Sequence, residues 1–263
     1  MSLKTVYLCA DDFGYHSGVS QGILALVAKE RLSAVSCMVN GKDFPSAAKT
    51  LLSFCEQVQI GLHLNLTEGS LLSSGYSLPT LLLKSHLCPL DSKQIAKELE
   101  AQWDAFVAVM GRLPDFIDGH QHVHQFPQIR NQVLALYAKV AKQSIWVRAT
   151  YPLLYRSPYR FKTSLLALTG GKALYRQLQN QKIPHYACFG GIYDFNPNRC
   201  YRTLFRSWLA KAPTNTLLMC HPGNNDGFDT IGCARQSELA YFMSEAFVED
   251  CTKYGVTIGR PST

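Results

Sequence analysis

Short β-rich apolar runs alternate with segments of helical period along the whole chain, and this alternation constrains the fold more than any other feature. KTVYLCA (4–10) reads as a strand and SGVSQGILALVAKERL (17–32) as a helix. A strand at SAVSCMVN (33–40), a helix at SAAKTLLSFCEQ (46–57) and a strand at VQIGLHLNL (58–66) follow. DSKQIAKELEAQWDAFVAVMG (91–111) opens on Asp91, carries Ile95, Leu99, Trp103, Phe106 and Met110 on one stripe and stops at Gly111, which predicts a helix. DFIDGHQH (115–122) returns as a strand, Pro127 begins the helix PQIRNQVLALYAKVAKQ, and IWVRA (145–149) is extended again. Residues 163–181 read as helix around a glycine break, 185–195 as extended, 201–212 as helix, 214–223 as strand, 237–255 as one helix and 256–259 as a last strand. LLSSGYSLPTLLLKSHLCPL (71–90) has turn residues and no clean period, and reads as an irregular insertion over one face.

Repeated strand-helix units build a parallel sheet, either open and doubly wound or closed into a barrel. The polar residues choose between the two. Asp11 and Asp12 follow the first strand, His63 lies near the end of the third, His120 ends the next, Arg148 the next and His221 the penultimate one. Polar groups delivered from so many strand ends suit a barrel, whose strand ends all face one mouth. With 263 residues, 47% of them hydrophobic, and no linker or repeat, the expectation is one α/β domain, a (β/α) barrel over residues 1–263.

The 26 Lys and Arg exceed the 19 Asp and Glu by seven, but they are spread without a run, so they read as solvated surface and no nucleic-acid partner is expected. Nine cysteines are scattered singly with no CxxC pair, as reduced thiols are, which points to the cytoplasm. Two aspartates arrive too soon for a secretory leader, and no apolar run nears the roughly 18 residues a membrane span needs.

DGHQHVHQFP (118–127) places three imidazoles within five residues, each with nitrogens that need partners if buried. A divalent ion that activates water needs neutral imidazoles, a carboxylate and an open position. Asp12, His63 and His120 supply that set, and Asp11 adds a second carboxylate pointing another way. Each motif alone has a plainer reading: the aspartate pair as a helix cap, the lone His63 as a hydrogen-bonded core residue. Their shared place at strand ends supports a site. Two imidazoles and a carboxylate suit zinc, manganese, cobalt or iron.

ADDFGYHSGVSQGILALVAKERLSAVSCMVN, GLHLNLTEG, DGHQHVHQFPQIR and MCHPGNND, in this order, resemble the motifs of the YdjC-like carbohydrate deacetylases, a family similar to the NodB-type polysaccharide deacetylases; residues 150–213 match little of it. The resemblance implies a distorted barrel of the NodB-like and YdjC-like type, with one divalent ion, often magnesium and otherwise zinc, held at its mouth by Asp12, His63 and His120. It implies Asp11 as general base and His221 as general acid, with His122 and His124 orienting the site or binding sugar. Arg148 is expected beside them, orienting Asp11 or facing substrate, with a salt bridge at the core rim as its plainer role. Tyr15, Phe126, Tyr151 and Tyr155 stack on sugar or simply pack. The implied activity is hydrolysis of an N-acetyl group from an amino sugar or chitooligosaccharide, releasing acetate, by an enzyme acting on the C–N bond of a linear amide. A metal-dependent phosphoesterase and a non-enzymatic sugar-binding protein are the alternatives. The expected partner is a small-molecule or oligosaccharide substrate, with no membrane span; a homodimer is allowed.

Overall fold

The strand β1 (Lys4–Phe13) runs through the centre of an eight-stranded parallel sheet and brings Asp11 and Asp12 to its carboxyl end. The structure, a computed structural model, describes residues 3–72, 75–140, 145–154, 159–224, 227 and 229–260. After β1 come α1 (Ser17–Ala28), β2 (Ala34–Cys37), α2 (Phe44–Leu52), β3 (Gln59–Leu64), α3 (Leu78–Leu87), α4 (Ser92–Met110) and β4 (Phe116–Gly119). A 3₁₀ turn (His120–Gln125) leads into α5 (Pro127–Val140), β5 (Trp146–Val147), α6 (Arg160–Leu166) and, across a π turn, α7 (Lys172–Asn180). The chain ends with β6 (Cys188–Gly190), α8 (Tyr201–Lys211), β7 (Thr216–Cys220), α9 (Gly232–Met243), α10 (Glu245–Lys253) and β8 (Val256–Ile258).

Seven strands follow the order β5-β4-β3-β2-β1-β7-β6, and β8 pairs with the first residues of β1. The free edges are drawn together beyond β5, where the Leu154 N–H donates to the Phe189 carbonyl at 3.0 Å and the Phe189 N–H to that of Pro152 at 2.8 Å. The result is the distorted barrel expected from the alternation of elements.

Side-chain alternation along each strand places the polar residues. Val6, Leu8 and Ala10 of β1 belong to the large core between sheet and helices, whereas Cys9 belongs to a smaller cluster with Phe116, Trp146, Phe189, Leu217 and Met219 inside the barrel. Two residues beyond Cys9, Phe116, Trp146 and Met219 stand Asp11, Asp118, Arg148 and His221. Gly61 occupies the equivalent place before His63, because a Cβ there would meet the Phe116 ring at 2.3 Å. β1, β4, β5 and β7 thus fill the barrel with an apolar residue, β3 yields to one, and each carries a polar group two residues on.

α4 is the helix its stripe predicts. The Asp91 carboxylate accepts the Lys93 and Gln94 N–H groups at 3.0 Å, and Gly111 ends the helix at φ 64°. Three expectations are corrected. Residues 71–90 contain α3, whose first turn is capped by Ser77, which accepts the Thr80 N–H. His120 and His122 do not continue a strand: Gln121 and His122 take φ of 51° and 58° and turn the chain at once. Residues 237–255 are not one helix, since Ser244 is extended (φ −83°, ψ 160°) between α9 and α10. Cys9, Cys37, Cys188, Cys220 and Cys251 are buried thiols. Among the described residues no helix is long and apolar enough to cross a membrane.

Candidate metal centre and catalytic cavity

Between Ala10 and Phe13, β1 carries one more residue than β2, a bulge at the place where its two aspartates stand. Asp12 there has φ 69°, a left-handed backbone that aspartate tolerates better than most residues. The bulge sends the two carboxylates to different partners.

Asp12 Oδ1 lies 2.8 Å from His120 Nδ1 and 3.3 Å from His63 Nε2, and the three prospective donor atoms lie within 4.8 Å of one another. His63 arrives on β3 and His120 immediately after β4, a neighbouring strand in the sheet. The other nitrogen of His63, Nδ1, is 2.6 Å from Asp118 Oδ1, and Ser36 Oγ donates to the same carboxylate oxygen at 2.5 Å. Arg235 Nη2, from α9, donates to Asp12 Oδ2 at 2.7 Å and also contacts Asp229.

Asp11 turns to Arg148, which grips it with two bonds of 2.6 Å, reaches Asp118 Oδ2 at 2.6 Å and touches Cys9 Sγ at 3.1 Å. Cys9, Asp11 and Asp118 also cluster closely enough to hold an ion. That cluster is already filled by the guanidinium, which leaves Asp12, His63 and His120 as the candidate donor set. His221, at the end of β7, has Nε2 3.9 Å from Asp11 Oδ2, and its backbone N–H donates to Glu238 at 2.6 Å. Glu238, fully buried, also accepts the Tyr193 hydroxyl at 2.5 Å.

The charges fit a cation between Asp12, His63 and His120. Burial works against a charged His63, yet the carboxylates of Asp118, Asp12 and Asp11 prevail and lift its proton affinity to about 10. His120 is raised for the same reason, by Asp12 and Glu68 against burial. Asp12 is held well below the usual carboxylate range, its burial outweighed by His120 and Arg235. Asp11 is likewise lowered, chiefly by Arg148, against its burial. A pocket that holds positive charge on its own histidines, with two ring nitrogens beside one carboxylate, matches the donor set of a divalent ion. His221 goes the opposite way, pushed down to about 4 by burial, so its ring is neutral near pH 7.

These groups form the floor of a cavity of about 430 Å³, lined also by Tyr15, Glu68, His122, Phe126, Phe195 and Asp229. Of the expected site residues, Asp11, Asp12, His63, His120, His122 and His221 reach it. Arg148 and His124 do not: both are fully buried, and His124 Nε2 lies 3.0 Å from the Arg148 carbonyl. Neither side chain faces the cavity where substrate contact was expected of it. Arg148 orients Asp11, and His124 packs under the strand end that carries Arg148. The ring of Tyr151 packs on Tyr175 with centroids 5.6 Å apart, and Tyr155 lies outside the described residues.

Asp118, Arg235, Glu238, Glu68 and Asp229 were not foreseen. Asp118 had a signal, being two residues before His120 in the same motif. Arg235 and Glu238 lie three apart on the buried side of α9, and no local pattern sets them apart from ordinary helix charges.

The model of the YdjC-like protein family matches residues 5–253. The chitooligosaccharide deacetylase of Citrobacter koseri is 30% identical over 185 residues, which are 64% of this chain and 72% of that protein. The chitooligosaccharide deacetylase of Yersinia pestis is 35% identical over 140 residues, half of this chain and 55% of that protein. Among solved structures, a protein described as a cellobiose-phosphate cleavage protein of Enterococcus faecalis superposes with TM-score 0.72 at 19% identity, covering 98% of both chains. A family 4 carbohydrate esterase from Streptomyces lividans, in complex with acetate, superposes with TM-score 0.53 at 11% identity, covering 100% of this chain and 95% of its own. At these identities the two structures speak for the fold alone.

Proposed function

Since the chain belongs to the YdjC-like protein family, we propose that it is a metal-dependent carbohydrate N-deacetylase that hydrolyses the acetamide of an amino sugar or chitooligosaccharide. One observation carries the reading: a carboxylate and two imidazoles converge within 4.8 Å on the floor of a cavity that also holds a second, separately oriented carboxylate and a histidine. The names of the similar Citrobacter and Yersinia proteins agree with it.

A divalent ion held by Asp12, His63 and His120 would acidify water and draw charge from the amide oxygen. Two nitrogen donors suit zinc-like ions, while magnesium prefers more oxygen. Asp11, fixed by the two bonds from Arg148, accepts the proton of the attacking water. Its low proton affinity means that it holds that proton briefly. His221 stands 3.9 Å away as a neutral ring, able to take the proton and give it to the departing nitrogen. It thus serves as general acid by relaying a proton that it first takes up. The C–N bond breaks as the nitrogen gains its proton, the acyl carbon keeps the oxygen of water, and acetate and amine leave.

A phosphoesterase would want a guanidinium free for phosphate. Arg148 is committed to Asp11 and Asp118, and Arg235 to Asp12 and Asp229. The test is acetate release from N-acetylated chitooligosaccharides by protein reconstituted with zinc, manganese or magnesium, run beside phosphate release from sugar phosphates. Acetate without phosphate is expected; phosphate without acetate would replace this reading with the other.

A further inference from the structure

His221 stands where the sheet has already let go of β7. Pairing with β1 ends at Cys220 and pairing with β6 at Leu218, and Pro222 brings no N–H to the turn that follows. The ring has no second tether, since its buried Nδ1 has no hydrogen-bond partner among the described residues. A histidine that passes protons is commonly oriented by a hydrogen bond at the ring nitrogen away from the reaction. Here the main chain is held instead, from two points on α9. The Arg235 carbonyl accepts the Gly223 N–H at 3.3 Å. The Glu238 carboxylate accepts the His221 N–H at 2.6 Å with one oxygen and the Tyr193 hydroxyl at 2.5 Å with the other. A carboxylate away from water is costly unless it is bonded, and fully buried Glu238 meets that condition through these two donors. The chain after β6 is shaped to supply the second one. Gly191, at φ 96°, passes so close to β7 that a Cβ would collide with the Met219 carbonyl oxygen. Beyond it, Tyr193 reaches Glu238 and the Phe195 ring stands edge-on to His221, centroids 5.1 Å apart.

We propose that Glu238 is a positioning residue for His221: anchored to Tyr193, it fixes the main chain of His221 and so keeps Nε2 of the ring turned toward Asp11. Glu238 does not line the cavity and acts through His221 alone. This rests on the N-deacetylase reading for the task of the proton, but not for the hold on the ring.

The test is kinetic, on full chains reconstituted with metal. Glu238→Ala should lower kcat on an N-acetylated chitooligosaccharide by about 10²-fold, the scale of a misplaced catalytic group, with KM and bound metal little changed. An acetyl ester with a good leaving group should be spared much of that loss. Glu238→Gln, whose amide oxygen still accepts the His221 N–H, should recover most of it. Glu238→Asp is milder on the fold than alanine; it withdraws the acceptor by one methylene and should show the same selective loss on a smaller scale. Added to His221→Ala, Glu238→Asp should cost nothing further in kcat. A further loss as large as in the wild-type background, or equal damage to amide and ester, would overturn the proposal. The ring signals of isotope-labelled histidine, assigned to His221 by their absence in His221→Ala, read the hold without any reaction. They should be single and sharp in the wild type and in Glu238→Gln, and shifted or broadened in Glu238→Asp. Signals unchanged in Glu238→Asp would overturn the proposal. Signals that move in a chain whose wild type releases no acetate would support the hold and defeat the deacetylase reading.

Discussion

His63 Nδ1 lies 2.6 Å from Asp118 Oδ1 while the Nε2 of the same ring faces Asp12 at 3.3 Å. A carboxylate at one imidazole nitrogen fixes the tautomer and leaves the other as the donor to an ion. Asp118→Asn is therefore expected to weaken binding of a divalent ion about 10-fold to 100-fold with the fold kept. Metal titration of the purified variant, with a melting curve beside it, checks this; wild-type affinity would mean that Asp118 serves only Arg148.

Proton and metal compete for His63. With its proton affinity lifted to about 10 by Asp118 and Asp12 against burial, the metal-free ring is cationic at neutral pH. Its contribution to metal-free stability is fully present below pH 6.5 and is lost as pH rises through about 10. Metal needs the neutral ring, so binding should release protons and tighten as pH rises across the same window. Calorimetry in buffers of different ionisation heat measures the release. Affinity independent of pH between 7 and 9 would contradict the assignment.

The strand ends were legible in the sequence because a polar residue after an apolar run has a two-residue period to betray it: Asp11, His63, Arg148 and His221 all follow this rule. α4 was legible from Asp91 to Gly111 for the same local reason. α3 was not, because its leucines face core, cavity and solvent alike and so leave no period to read. The turn at His120 was missed because left-handed φ at Gln121 and His122 replaces the glycine or asparagine that usually announces one. Arg235 and Glu238 come from α9, far along the chain, and meet Asp12 and His221 only through tertiary packing.

His122 and His124, two residues apart, should behave differently. His122 lines the cavity, and His122→Ala is expected to lower turnover while leaving the melting temperature near that of the wild type. His124 is fully buried against the Arg148 carbonyl. His124→Ala should cost about 1–3 kcal/mol of stability by leaving that carbonyl without its partner. Equal loss of stability in both would place His122 in the packing as well.

Acid should destabilise the fold before the carboxylates titrate. Burial pushes both His124 and His221 down to about 4 from an ordinary 6.5. The unfolded chain therefore takes up their protons first, and stability, full above pH 6.5, is lost as pH falls toward 4, by up to about 3 kcal/mol per ring. His63 adds no slope there, since both its ordinary and its shifted values lie at or above this window. Chemical denaturation at pH 7 and pH 4.5 reads the difference, and His124→Gln should flatten part of it. A variant as acid-sensitive as the wild type would assign the slope to other groups.

If His221 relays a proton as a neutral ring, His221→Ala should keep its metal and lose about 10² to 10⁴ in kcat. An acetyl ester with a good leaving group should be spared much of that loss. Equal damage on amide and ester would count against the relay.

The central claim is that one ion held by Asp12, His63 and His120 makes this cavity hydrolytic. Its most direct test is to strip the protein of metal, titrate a divalent ion back, and follow bound metal and acetate release from an N-acetylated chitooligosaccharide together. Acetate release should rise in step with metal to one ion per chain, and His63→Ala and His120→Ala should lose both while melting as folded proteins. Acetate release from metal-free protein, or full metal content in those two variants, would contradict it.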